Sequence, residues 1–325
     1  TIKTILYLLT NISIMKISII EPLQIDTEKV IKIASEILPN SIEIVTYNSI
    51  PNSQQELSDR IKDVDIAVCV NTKFSKKVIE NAINLKMISV SFTGYDHIDI
   101  DATNRKNIIV SNVPDYASDA VSELIFGFAI SFYRKLIKCD NVVRTNWTKE
   151  GLLGYNLSKK TIGIVGFGHI GKKVAKIADA FNMNIIVHSR SKKGDVKFVE
   201  LNELLLKSDI IVLALPLNKD TKGLIGKKEF LLMKKDALLI NAARGPIVDT
   251  NALIDALKNN KIKGACVDVY DVEPISENDP LTKIDNLILS PHIGYYTKEA
   301  LEERTRITFE NIKQFIDGEV ENRCE

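Results

Sequence analysis

The sequence predicts an α/β fold made of parallel sheets, and two observations support this prediction. Short runs of apolar, often β-branched residues alternate with helical patterns along nearly the whole chain, which is the spacing of βαβ units. The chain has 325 residues, which is about twice the usual size of one domain. No internal repeat, low-complexity tract or Pro/Gly-rich linker interrupts it. We therefore expect two α/β domains that face each other across a cleft.

The first domain is predicted to span residues 15–115 and to hold a smaller, flavodoxin-like parallel sheet. A last amphipathic helix at residues 297–316 could return to it, so residues 297–325 are assigned to the same domain. Because this domain has no Gly-rich phosphate turn, we expect it to contribute substrate contacts. Its strands are predicted at residues 17–20, 42–47, 66–70, 87–91 and 108–111, separated by helical stretches such as Thr27–Ile37.

The second domain, residues 116–296, is predicted from a glycine-rich turn. The apolar run Ile162–Val165 leads directly into Gly166, Gly168 and Gly171, and a helical pattern follows at Lys172–Phe181. In such a turn the first glycine permits a tight bend, the second lets the backbone approach a pyrophosphate, and the third lets helix and strand pack closely. The sequence therefore predicts a doubly wound Rossmann sheet of six parallel strands that binds a dinucleotide. Five further strands are predicted at residues 184–188, 210–214, 237–241, 264–269 and 286–290, and a long helix at residues 119–137 leads into the sheet.

The loop after the second strand of this sheet bears on which dinucleotide binds. A carboxylate there would hold the ribose 2′-hydroxyl of NAD, but this chain continues with His188, Ser189, Arg190, Ser191 and Lys192. The planar guanidinium of Arg190 suits a 2′-phosphate, with help from the neighbouring serines and lysine. NADP is therefore favoured over NAD; the alternative interpretation is a solvated basic loop.

Three ionisable residues follow predicted strands of the same sheet and suit chemistry on a 2-oxo acid. His292 could exchange a proton with the carbonyl oxygen, because an ordinary imidazole titrates near neutrality. Glu273 could hold that imidazole, and Arg244 could make a bidentate contact with a carboxylate. Taken singly, each is more often a surface charge or a structural ion pair. Because parallel strands place their carboxyl ends at one edge, the three together favour a functional site.

From Met15 onward the chain resembles the D-isomer-specific 2-hydroxyacid dehydrogenases, a family that includes D-lactate, glycerate and phosphoglycerate dehydrogenases. The resemblance implies that Arg244 binds the substrate carboxylate, that Glu273 tunes His292, and that His292 is the general acid/base. The matching segments occur in the family's order: Thr93–Asp99, the glycine turn, Asn241–Asp249, Asp268–Pro274 and Ser290–Gly294.

Further contacts are implied by the same resemblance. The backbone N–H groups around Thr93 and Gly94 would form a second cradle for the carboxylate, although a plain turn is the other interpretation of this dipeptide. Asp268 would lie near the nicotinamide carboxamide, and two subunits would form a homodimer around the cofactor domain. Cofactor contacts are expected from Gly166, Phe167, Gly168, His169, Ile170, Gly171, Ser189, Arg190, Ser191, Leu215, Pro216, Ala242, Ala243, Asp268, His292 and Gly294.

Departures from the family pattern leave the substrate open. Many relatives carry a glycine where this chain has Phe92. Tyr295 and Tyr296 resemble the D-lactate branch, whereas Val113–Val121 resembles the glycerate and hydroxypyruvate branch, and core packing is an equal alternative for the two tyrosines. The expected substrate is a 2-oxo acid of the glyoxylate, hydroxypyruvate or pyruvate type. Alternatives are a D-3-phosphoglycerate dehydrogenase, a phosphite dehydrogenase on the same scaffold, or a dinucleotide-sensing corepressor-like binding protein.

Composition narrows the range of partners and compartments. The formal net charge of +1 provides no basic face for nucleic acid. Four scattered cysteines, with no C-x-x-C pair, favour reduced thiols in the cytoplasm and neither a zinc site nor a disulfide framework. Residues 1–14 are interpreted as an extension ahead of Met15, because Lys16 interrupts the apolar run and no cleavage motif follows. We expect no metal, and no membrane span because the run is short.

Overall fold

The structure is a computed structural model in which residues 15–324 are described. The described part of the chain divides into two compact units, one comprising residues 15–116 with 298–324 and the other Ala117–Thr297. These boundaries lie one residue from the predicted domain boundaries. That the first unit binds substrate and the second a dinucleotide stays a prediction. The predicted extension at residues 1–14 lies outside the described residues.

The first unit contains a five-stranded parallel sheet in the order β2-β1-β3-β4-β5. All five predicted strands are confirmed, and the residues of β3 and β4 are buried throughout. The strands are β1 (Lys16–Ile19), β2 (Glu43–Thr46), β3 (Ile66–Cys69), β4 (Met87–Val90) and β5 (Ile109–Ser111). The helices between them are α1 (Thr27–Ile37), α2 (Gln54–Arg60), α3 (Lys76–Asn81) and α4 (Ile100–Arg105).

The chain returns to this unit at its C-terminal end. A helix at Lys298–Asp317 contacts both α1 and β4, and its buried Thr308 hydroxyl lies 2.8 Å from the Ser91 hydroxyl. After the helix, Arg323 forms an antiparallel bridge with Ser111, and the Cys324 N–H donates to the Val110 carbonyl at 2.8 Å. The tail therefore adds backbone hydrogen bonds along the β5 edge.

The second unit contains a seven-stranded parallel sheet in the order β12-β11-β10-β9-β6-β7-β8. The six predicted strands are confirmed, and β8 is an additional two-residue strand paired with β7. Central strands β9, β10 and β11 are buried throughout, as expected for apolar runs covered on both faces. The strands are β6 (Thr161–Val165), β7 (Asn184–His188), β8 (Lys197–Phe198), β9 (Ile210–Leu213), β10 (Leu238–Asn241), β11 (Gly264–Val267) and β12 (Leu287–Leu289).

Two helix predictions in this unit need correction. The long helix α5 runs from Ser118 to Arg134 and stops where Lys135 adopts left-handed backbone angles, with φ 54°; α6 (Leu136–Val143) follows. The helix after the glycine turn begins at His169, three residues earlier than predicted, because Gly168 is its N-cap. The remaining helices are α7 (His169–Ala180), α8 (Leu201–Lys207), α9 (Lys227–Leu232), α10 (Thr250–Lys258) and α11, the C-terminal helix Lys298–Asp317.

All four cysteines are free thiols. Cys69, Cys266 and Cys324 are buried, whereas Cys139 on α6 is half-buried. Within residues 15–324, no helix has both the length and the apolar character needed to cross a bilayer.

Candidate active site

The glycine turn lies between β6 and α7 and has the geometry of a phosphate-binding turn. Gly166 has φ +98°, and a Cβ there would lie 2.2 Å from the Ala214 carbonyl oxygen. A Cβ on Gly171 would lie 2.3 Å from the Gly166 carbonyl oxygen, whereas a Cβ on Gly168 would meet nothing within 4 Å. Two glycines are thus required by close packing, and Gly168 faces open space at the N-terminus of a helix. This turn could hold an anionic pyrophosphate, because helix N-terminal N–H groups attract anions.

The loop after β7 carries the predicted phosphate ligands at its start. Ser189 is half-buried and Arg190 is exposed, while Lys192 lies 3.7 Å from Glu200 in an ion pair. Phe167 of the glycine turn packs edge-on against Phe198 of β8, with ring centroids 5.7 Å apart. His188 Nδ1 lies 3.1 Å from the Val199 carbonyl oxygen.

His292 and Glu273 form a close pair at the carboxyl edge of the sheet. His292 follows β12 and Glu273 follows β11, which are neighbouring parallel strands. The His292 Nδ1 lies 2.6 Å from Glu273 Oε2, and the second carboxylate oxygen accepts a bond of 2.9 Å from the Tyr270 N–H. Burial acts to raise the pKa of the Glu273 carboxyl, but the bonds from His292 and Tyr270, with the charge of Arg244, outweigh it and leave that pKa below its ordinary value. The pair therefore keeps a carboxylate beside the imidazole.

A buried carboxylate organises the turn that carries His292. Asp268, at 1 % exposure, accepts bonds from the Ser290 hydroxyl and from the N–H groups of Ile293 and Gly294, both at 2.8 Å. Burial raises the pKa of the Asp268 carboxyl above its ordinary value, although these three bonds act in the opposite direction. His292 itself has φ 53°, a conformation that costs an ordinary residue about 1 kcal/mol or more. Asp268 thus stabilises the strained turn through the two residues that follow His292.

Arg244 follows β10, the next strand of the sheet, and is half-buried. The buried Asn241 side chain accepts a bond from the Ala243 N–H at 3.1 Å and donates to the Arg244 carbonyl at 3.0 Å. These bonds fix the turn from which the guanidinium extends. Its charge lowers the pKa of Glu273, so the three predicted side chains lie within electrostatic reach of one another.

The other predicted residues of this unit lie around the same edge. Ala242, Ala243 and Leu215 are half-buried after β10 and β9, and Pro216 is exposed. Tyr295 packs edge-on against His292, with ring centroids 5.6 Å apart. Thr93 and Gly94 belong to the first unit, where they follow β4.

Sequence reasoning did not identify Ser290, Tyr270 and Asn241 as members of this site. The Tyr270 hydroxyl donates to the Ser290 carbonyl at 2.8 Å, which ties the end of β11 to the turn before His292. Asn241 carried a signal that could have found it: a polar residue ends an otherwise apolar strand, and a buried amide needs partners. Among residues 15–324, no group of three His, Cys, Asp or Glu side chains could hold a metal ion.

Comparison with known proteins identifies the family of the chain. The family model described as the NAD binding domain of D-isomer specific 2-hydroxyacid dehydrogenases matches residues 126–294. The glyoxylate reductase of Pyrococcus horikoshii is 38 % identical over 310 residues, covering 90 % of this chain and 92 % of that protein. The D-3-phosphoglycerate dehydrogenase of Methanocaldococcus jannaschii is 37 % identical over 315 residues, covering 94 % of this chain and 58 % of that protein.

Among solved structures, an acyclic imino acid reductase in complex with NADPH and D-Arg superimposes with a TM-score of 0.88 and 33 % identity, covering 96 % of this chain and all of that one. The family model covers the phosphate turn and all three ionisable residues of the site. The chain therefore belongs to the D-isomer specific 2-hydroxyacid dehydrogenase family and is an oxidoreductase that converts 2-oxo acids to 2-hydroxy acids with a nicotinamide dinucleotide.

Proposed function

We propose that the substrate is a short 2-oxo acid of the glyoxylate, hydroxypyruvate or pyruvate type, and that His292, Glu273 and Arg244 carry the reaction. The observation that supports this most directly is the 2.6 Å contact between His292 and Glu273 at the sheet edge where Arg244 also lies. A paired imidazole suits protonation of a carbonyl oxygen, and a guanidinium suits a carboxylate. A 2-oxo acid presents both groups on adjacent carbons.

The division of work follows from the chemistry of each side chain. Arg244 binds the substrate carboxylate through a pair of parallel hydrogen bonds and so orients the carbonyl carbon. Glu273 holds the Nδ1 side of the imidazole and so orients the ring. In this scheme Nε2 donates a proton to the carbonyl oxygen as that oxygen gains charge. A bound nicotinamide dinucleotide supplies the hydride. In the reverse direction the same imidazole takes the hydroxyl proton.

The residues that would hold the dinucleotide fit it in two places. Gly168 leaves open space for the pyrophosphate at the N-terminus of α7. The buried Asp268, which accepts a bond from the N–H of Gly294, is the residue that the resemblance implies near the nicotinamide carboxamide. These residues would hold the group at the carboxyl edge of the sheet.

For the adenosine end we propose a preference for NADP. Arg190 is exposed at the start of the loop after β7, and no carboxylate ends that strand. Lys192 pairs with Glu200, so Arg190 and Ser189 carry the proposal.

We expect Arg190→Ala to weaken NADPH binding about tenfold or more and to leave NADH binding nearly unchanged, since a charge-assisted bond to phosphate is lost. Fluorescence titration measures both, with Lys197→Ala on β8 as control; equal losses for the two cofactors would contradict the preference.

The experiment that tests the activity is a substrate panel run with both cofactors. It contains glyoxylate, hydroxypyruvate, pyruvate, bulkier 2-oxo acids and phosphohydroxypyruvate, each with the reduced dinucleotide, and phosphite with the oxidised dinucleotide. We expect the short 2-oxo acids to give the highest kcat/KM. His292→Ala should lower that value by ~10²–10⁴-fold, the usual contribution of a positioned acid. A preference for phosphohydroxypyruvate would support the phosphoglycerate alternative. Binding of dinucleotide without any turnover would support the corepressor-like alternative.

The resemblance implies a homodimer, and the exposed surface of the second unit supports this proposal. Helix α6 has no buried residue, and it is followed by Trp147 and Leu153, which are 82 % and 81 % exposed. Leu136, Ile137 and Val143 on α6 are also exposed. An apolar segment of this kind favours association with a second copy.

The four free thiols support a reducing compartment such as the cytoplasm.

A further inference from the structure

Two consecutive peptide groups after β4 are held by their carbonyl oxygens. The Phe92 carbonyl accepts a bond of 3.0 Å from the Val113 N–H. The Thr93 carbonyl accepts a bond of 2.7 Å from the Asn112 side-chain amide. The Thr93 hydroxyl adds a third bond by donating to the Val113 carbonyl at 2.9 Å. The loop is thus fixed on one side by residues 112–113.

This arrangement determines where the N–H groups of the loop point. A trans peptide is planar, so its N–H is directed opposite to its C=O. The carbonyls of Phe92 and Thr93 share peptide planes with the N–H groups of Thr93 and Gly94, respectively. Both N–H groups are therefore directed away from the segment that binds the carbonyls. No hydrogen bond within the described part of the chain uses either N–H.

A hydrogen bond on a carbonyl also changes the donor at the other end of the same peptide. It polarises the peptide group, so that the N–H becomes a stronger donor. The hydrogen bond from the Asn112 side chain therefore has two effects on the Gly94 N–H: it fixes the direction of the N–H and it makes the N–H a stronger donor. Thr93 is exposed and Gly94 is half-buried, and a pair of such donors is suited to an anionic ligand.

Asn112 is itself fixed by the C-terminal part of the chain. Its N–H donates to the Asn322 carbonyl at 3.1 Å, and its carbonyl accepts from the Asn311 side chain at 2.8 Å. The Asn322 side chain donates to the other end of the Asn311 amide, also at 2.8 Å. The buried Asn311 thus has both its donor and its acceptor used, and three asparagines form one connected network behind the loop.

We propose that Asn112 is a positioning residue for the Gly94 N–H, and that Asn322 in the C-terminal tail supports it through Asn311. The inference rests on the proposed function and on the role that the family resemblance implies for Thr93 and Gly94, whose N–H groups would cradle the substrate carboxylate. It adds to that function a role for a segment some 200 residues further along the chain. None of the three asparagines contacts the substrate in this scheme.

The kinetic test uses Asn112→Ala, with the exposed Asn104→Ala on α4 as the matched control. We expect the variant to raise KM for glyoxylate about tenfold while kcat and the NADPH dissociation constant stay near the wild-type values. The reason is that the donor remains but loses its orientation and polarisation, which weakens one charge-assisted bond. An unchanged KM in Asn112→Ala, or an equal change in the control, would overturn the inference.

A spectroscopic test reads the same peptide directly and does not depend on turnover. Thr93–Gly94 is the single Thr–Gly pair of the sequence. Labelling with ¹³C-carbonyl threonine and ¹⁵N glycine therefore gives one carbonyl–amide correlation signal, from this peptide. We expect Asn112→Ala to displace that signal. Asn322→Gly should displace it less: the glycine keeps the left-handed backbone, at φ 52°, and removes only the side-chain amide.

Oxamate, an unreactive isostere of a 2-oxo acid, separates failure of this inference from failure of the proposed function. Added to the wild-type NADPH complex, it should shift the Gly94 signal, and its dissociation constant should rise about tenfold in Asn112→Ala. Turnover of glyoxylate without any shift on adding oxamate would overturn the inference and leave the function standing. An absence of turnover, with the signal displaced by Asn112→Ala, would overturn the function and keep the positioning of Gly94 by Asn112.

Discussion

At the scale of single residues, the most informative feature is the strained backbone of His292. Its φ of 53° is unfavourable for a residue with a Cβ, and such strain persists only where the surroundings enforce it. Asp268 provides that enforcement through the N–H groups of Ile293 and Gly294. The direction of the imidazole is therefore set by the backbone of the turn as well as by Glu273.

Replacing Glu273 by Gln should reduce turnover more than substrate binding. The carboxylate lies 2.6 Å from the imidazole and holds the ring in place, so its loss should lower kcat/KM for reduction. We expect kcat to fall at neutral pH, with a smaller change in KM. The exposed Glu277→Gln serves as control. A kcat equal to that of the wild type would remove Glu273 from its proposed role.

The same carboxylate should contribute to stability over a defined pH range. Because the folded protein lowers the pKa of Glu273, its contribution is present above the unfolded value of about 4.3 and is lost as the pH falls through the folded value. The wild type and Glu273→Gln should therefore differ in free energy of unfolding at neutral pH and converge in acid. Denaturant unfolding at several pH values measures this; a constant difference down to the lowest pH would contradict it.

At the scale of elements, the junction between β6 and α7 contains one glycine that has no room for a side chain and one that has room. We expect Gly171→Ala to destabilise the protein by about 1–3 kcal/mol, because its Cβ would lie 2.3 Å from the Gly166 carbonyl and the helix would have to shift. Gly168→Ala should leave the melting temperature unchanged, since its Cβ meets no atom within 4 Å. That methyl group would instead occupy the space expected for the pyrophosphate and weaken dinucleotide binding at least about tenfold.

Calorimetry and fluorescence titration of both variants separate these effects. Loss of stability in Gly168→Ala would show that this residue is packed against protein, and unchanged binding in that variant would place the pyrophosphate elsewhere.

The elements that sequence reasoning missed have identifiable physical causes. The strand β8 has only two residues, Lys197 and Phe198, which is too short for an alternating pattern. The break between α5 and α6 falls at Lys135, a residue type with good helix propensity, so composition carried no signal for it. The early start of α7 was hidden because Gly168 caps the helix without the side-chain oxygen that usually marks an N-cap.

At the scale of the whole molecule, topology explains why much of the site could be predicted. Arg244, Glu273 and His292 follow β10, β11 and β12, which are adjacent in the sheet, so strand order alone brought them to one edge. The network of Asn112, Asn311 and Asn322 could not be found this way. Its members lie some 200 residues apart, and polar loop residues carry no periodic pattern.

The association of subunits can be tested at the same scale. Trp147→Ser combined with Leu153→Ser should raise the dissociation constant of the proposed homodimer, because both side chains are more than 80 % exposed in the single chain and apolar area drives association. Analytical ultracentrifugation measures this, with the exposed Ile83→Ser of the first unit as control. A wild type that sediments as a monomer at all concentrations would contradict the proposal.

The uneven burial of the thiols gives this chain a selective point of attachment for a reporter. Burial raises the pKa of the Cys69, Cys266 and Cys324 thiols above their ordinary value, and thiolate is the form that alkylating dyes attack. Cys139, half-buried on α6, should therefore react first with a maleimide. If α6 is covered by a neighbouring subunit, that reaction should slow as the protein is concentrated, so dye incorporation would follow assembly without any engineered cysteine.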